Sequence, residues 1–80
     1  MSPESIAFLD THRHHYDLLI RAQYVKHLDY ATRDGLWEVI RKEFDAGYPK
    51  DLDCSECVAN MLKYVYTQYD KWVEANSTLI

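Results

Sequence analysis

The sequence predicts an all-α fold of three helices, packed up, down and up, with a long first helix that oligomerises. Three observations predict it. Apolar residues recur at three-and-four spacing in three separate stretches. Each stretch is preceded by a side chain that caps helices well. Only two Gly and two Pro occur in 80 residues, and no Gly or Pro lies between Pro3 and Gly35. No strand is expected.

Helix 1 opens at Ser2, an N-cap, with Pro3 at the first helical position, where its missing N–H costs nothing, and Glu4 against the positive end of the dipole. With no breaker before Gly35 it is read to about Tyr30, about 42 Å at the usual rise per residue. Thr32 is the next N-cap, and Leu36, Trp37, Ile40 and Phe44 form the apolar stripe of helix 2, about Arg33 to Ala46. Gly35 weakens its start by up to about 1 kcal/mol relative to Ala. Gly47 suits a left-handed stop, and Pro49 prevents continuation.

The stretch "DLDCSECVANML" opens helix 3. Asp53 and Glu56 make a capping box, with Leu52 and Cys57 placed as a hydrophobic staple. Val58, Met61, Leu62, Val65, Tyr69, Trp72 and Val73 then give one apolar face. Helix 3 runs from about Cys54 to Ala75, leaving residues 76–80 as a frayed tail. The whole chain, 1–80, is one domain.

A chain this short buries only roughly 60% of its unfolded surface, so a partner chain or a metal would help it. A composition of 48% apolar and 14% aromatic residues is nonetheless that of a folded protein. The net charge of −4 argues against duplex nucleic acid and against an anionic membrane, both of which are bound through cationic footprints. The first residues, "MSPESIAF", lack the charge and apolar core of a signal peptide, and Leu18-Leu19-Ile20 is far short of a span, so a cytoplasmic protein is expected.

Helix lengths predict self-association. Helix 2 covers about 20 Å of a helix twice as long, which leaves Ile6, Phe8 and Leu9 on an overhang. Tyr16, Leu18, Leu19, Ile20, Ala22, Tyr24, Val25 and Leu28 place apolar groups around most of the helix circumference. A homo-oligomer, most simply a two-fold dimer, follows, with Phe8, Leu9, Tyr16, Leu19 and Tyr24 at its interface.

Cys54 and Cys57 admit three readings. The first is packing and capping at a helix start. The second is a structural zinc site completed by His12 and His15, which share a helical face and which the three-helix sketch brings near the thiols. The third is redox chemistry, which lacks the βαβ context of C-x-x-C oxidoreductases and is opposed by Asp51, Asp53 and Glu56. The expectation is packing with no cofactor, zinc being the alternative. Asp51 is read as a turn residue. Tyr69 and Trp72 are assigned to the core, Tyr64 and Tyr66 to a rim or interface. No phosphate loop, nucleophile elbow or facing pair of catalytic carboxylates is visible, so no enzyme is expected.

From Leu36 onward, "LWEVIRKEFDAGYPKDLDCSECVANMLKYVYTQYDKW" carries an "L-x-C-x-x-C-V" motif followed by "Y-x-x-Y-D-x-W". This pattern resembles short uncharacterised proteins of Bacteroidota phages and prophages. The resemblance covers about half of the chain; it implies a viral or mobile-element origin and no catalytic residues. The resulting expectation is a helical interaction module, an antagonist or modulator of a host or viral protein or of a defence system. The alternatives are an oligomer that sequesters a nucleotide signal through His14, Arg21 and Tyr24, and a zinc-stabilised structural adaptor.

Overall fold

The computed structural model describes residues 1–23 and 28–77, and within them the fold is all-α: α1, Pro3–Ala22; α2, Tyr30–Glu43; and α3, Ser55–Ser77. The start of α1 is as expected, since the Ser2 side chain accepts the Ser5 N–H with Pro3 in the first turn. Its end is not. Gln23 adopts φ 55° in the left-handed region and donates its N–H to the Leu19 carbonyl, so α1 stops about two turns before the expected Tyr30.

Asp29, not Thr32, caps α2, accepting the Thr32 N–H at 2.9 Å. That hydrogen bond holds the Asp29 carboxyl below its ordinary range. Leu28, immediately before it, is buried. A left-handed Gln costs about 1 kcal/mol; a well-capped second helix and an inward Leu28 offset it. Helix 2 therefore begins at Tyr30 and ends three residues before the expected Ala46. Gly47 does not enter the left-handed region. The stop is instead built by Asp45, whose N–H reaches back to the Ile40 carbonyl and whose side chain accepts the Gly47 N–H at 3.0 Å.

The first two helices run in opposite directions, as expected. Ser2 donates its N–H to Glu43 at 2.8 Å, so the end of α2 lies against the start of α1 and these two helices are antiparallel. Residues 44–54 then run back along α2. Trp37 donates its indole N–H to the Tyr48 carbonyl, Lys50 pairs with Asp34 at 3.1 Å and lies 4.5 Å from the Trp37 ring, and Arg33 donates to the Leu52 carbonyl. Eleven residues reach up to about 36 Å, ample for the roughly 21 Å length of α2. Helix α3 consequently starts near the first turns of α2.

The core is the seam among the three helices: Leu9, Leu19, Leu36, Ile40, Val58, Met61, Leu62, Val65, Tyr66 and Tyr69, sealed by Leu28 and Leu52. Tyr66 is fully buried rather than at a rim, and its hydroxyl donates to the Leu9 carbonyl at 2.6 Å. A carbonyl has two lone pairs, so this bond adds to the helical one. Tyr69 is core as expected, its hydroxyl donating to Asp10 at 2.8 Å, while Val73 is exposed. Arg13 makes a two-pronged contact with Asp70 across the same seam. Its side chains are 36% and 47% exposed, so it contributes no more than about 1 kcal/mol and chiefly fixes the register of α1 on α3.

The N-terminal half of α1 does not overhang α2, because Ser2 lies against Glu43. Leu9 and Leu19 are buried in the chain's own core, and the length mismatch shrinks to 20 residues against 14. Phe8 lies on Gly35, where a Cβ would sit 2.5 Å from its ring tip. Gly35 thus permits the approach of α1 and α2, a role beyond the weak helix start expected of it. Adding a methyl there gains up to about 1 kcal/mol of helix propensity but overpacks the contact at about 1–3 kcal/mol. Gly35→Ala is expected to lower stability in thermal unfolding, and to raise it in a Phe8→Ala background where the ring is gone. Equal effects in both backgrounds would refute the contact.

Candidate functional site

The backbone that returns along α2 delivers three metal-ligating side chains to the first turn of α3. One ligand atom each from Asp51, Cys54 and Cys57 lies within 4.8 Å of the others. The Cys57 thiol donates to Asp51 Oδ2 at 3.5 Å, and the Cys57 N–H donates to Cys54 Sγ at 3.2 Å. Both cysteines are free and half-buried. The first helical bond runs from the Val58 N–H to the Cys54 carbonyl, so Cys54, rather than Asp53, is the N-cap, and its sulfur accepts the Cys57 N–H in place of the expected Asp53–Glu56 capping box.

Cys57 is pushed up to about 12, first by the Cys54 thiol, then by desolvation and by the Asp51 carboxylate. At neutral pH it is a thiol. A redox or nucleophilic cysteine needs the opposite, a thiolate favoured by neighbouring cations.

The histidines do not join this cluster. His12 lies 4.5 Å from the Phe8 ring and 5.8 Å from His15, stacked along α1, with its Nδ1 buried and lacking a hydrogen-bond partner. His15 faces a shallow recess with Leu28, Asp29 and Thr32 at the start of α2. The zinc set read from the sequence, Cys54, Cys57, His12 and His15, is therefore not assembled. Asp51, three residues before Cys54 in D-x-x-C-x-x-C, lies beside the thiols instead.

The remaining expected residues are dispersed. His14 is exposed against His15, with ring centres 3.9 Å apart. Tyr16 stacks on Tyr66 at 5.2 Å, with Arg13 5.8 Å above its ring. Tyr16 also lines an open groove on the outer side of α1 with Asp17, Ile20 and Arg21. Tyr24, expected in both the interface and the nucleotide site, lies outside the described residues.

No protein-family model, curated protein or solved structure matches this chain. Among the described residues no helix is long and apolar enough to cross a membrane.

Cys54 as cap leads to a simple expectation for the metal-free, reduced protein. Ser caps better than Cys, so Cys54→Ser is expected to be at least as stable as the parent in chemical denaturation. Asp53→Ala should leave stability unchanged. A clear loss on Asp53→Ala would return the cap to Asp53.

Proposed function

We propose that this chain is a non-enzymatic helical interaction protein that binds other proteins through the outer side of the second half of α1. The observation that carries the reading is the groove of Tyr16, Asp17, Ile20 and Arg21, in which Ile20 is 50% exposed between an acidic and a basic side chain. An apolar anchor flanked by opposite charges suits a protein surface with complementary charges. It suits an enclosed small ligand less well, because pockets for such ligands bury most of the ligand surface.

The partner expected first is a second copy of the chain. The sequence-based interface is revised for this purpose: Leu9 and Leu19 are spent on the intrachain core, whereas Ile20 and part of Tyr16 remain to pair across a two-fold axis. The resemblance to phage proteins supports a second engagement, with a host protein in the bacterial cytoplasm, as a modulator or antagonist.

Light scattering at tens of micromolar tests the self-association. A mass above one chain is expected, falling to the 9.5 kDa of one chain in Ile20→Glu with the helical circular dichroism unchanged. A parent protein that is monomeric at every concentration removes self-association. An oligomer that survives Ile20→Glu places its interface elsewhere.

A further inference from the structure

We propose that Asp51, Cys54 and Cys57 form a binding site for a thiophilic divalent cation of the zinc type, at the joint between the return segment and α3. The inference is independent of the docking surface on α1.

Geometry carries it. Three donors of the right chemistry, two sulfurs and one carboxylate oxygen, converge within 4.8 Å. The Cys57 Sγ to Asp51 Oδ2 separation is 3.5 Å. With Zn–S of about 2.3 Å and Zn–O of about 2.0 Å, the S···O edge of a tetrahedron is about 3.5 Å long. Cation and ligands therefore fit with only small side-chain rotations.

The backbone is also prepared. Leu52, between the carboxylate and the thiols, is buried, and its carbonyl is held by Arg33. On the other side Val58 is buried in the core. Binding consequently costs little chain ordering. The Cys57 N–H already points at Cys54 Sγ, a bond that strengthens when that sulfur becomes a thiolate.

On binding, the two thiols release their protons to solvent and two sulfur–metal bonds and one oxygen–metal bond form. The three-donor complex of a divalent cation then carries one net negative charge. Asp51 is exposed and the cysteines are half-buried, so the fourth corner of the tetrahedron faces outward, to water or to a side chain of another protein. Such a cation would staple the end of the return segment to α3, a useful addition in a domain this small.

Cobalt, then zinc, titrated into the full chain kept reduced without chelator, tests the site. The expected result is a sulfur-to-cobalt charge-transfer absorption with tetrahedral visible bands, displaced by one equivalent of zinc, and a zinc-dependent rise in Tm. Asp51→Asn should weaken cobalt binding by about tenfold or more. Cys54→Ser/Cys57→Ser should abolish both the bands and the Tm rise, and His12→Ala/His15→Ala should leave them unchanged. Metal-free circular dichroism confirms that each variant folds. The proposal is overturned if the parent gives no sulfur–cobalt band at millimolar cobalt, if Asp51→Asn binds as well as the parent, or if the histidine variant loses binding.

Discussion

The structure depends on the return of residues 44–54 along α2. A tight turn after Glu43 would instead start α3 beside the first residues of α1. Three contacts prevent this: the Trp37 indole on the Tyr48 carbonyl, Lys50 between Asp34 and the Trp37 ring, and Arg33 on the Leu52 carbonyl. Each satisfies backbone or charge that an irregular segment otherwise leaves to water. With the segment pinned, α3 begins beside the start of α2, and its Tyr66 and Tyr69 arrive opposite Leu9 and Asp10. The buried Tyr66 hydroxyl can then find its acceptor on α1. Desolvation pushes the Tyr66 phenol above its usual value, and Tyr69 to about 12, so both stay neutral donors across the physiological range.

Local chemistry was legible in the sequence and non-local pairing was not. The number and type of helices, the Ser2 and Pro3 start, and the inward positions Leu36, Ile40, Val58, Leu62, Val65 and Tyr69 follow from spacing and capping within a few residues. The end of α1 does not, because Gln23 carries no mark of a left-handed residue; only the competing cap at Asp29 and the burial of Leu28 select it. Reading helix 1 to about Tyr30 for want of a Gly or Pro made it too long. That length then produced an overhang for Phe8 and Leu9 which the molecule does not have. Tyr66, assigned to a rim or interface, is buried because a carbonyl 57 positions away in sequence satisfies its hydroxyl.

The candidate site follows the same division. The C-x-x-C spacing was visible, and so was Asp51, but only the path of the return segment makes them converge. The same path leaves His12 and His15 on α1 beside Phe8 and the start of α2. A metal at the joint would therefore act on the most consequential segment of the fold, fastening its last residues to the helix they position. The proposed docking groove on the outer side of α1 is separate from that joint in its residues and in its chemistry.

Direct assignment of nuclear Overhauser contacts tests where α3 starts. The arrangement described requires contacts between the Trp37 indole N–H and Tyr48, between the Arg33 side chain and Leu52, and between the Tyr16 and Tyr66 rings. Contacts from Leu52 to Ser2 and Lys42, without those to Arg33, would put the start of α3 at the opposite end of the molecule and contradict it.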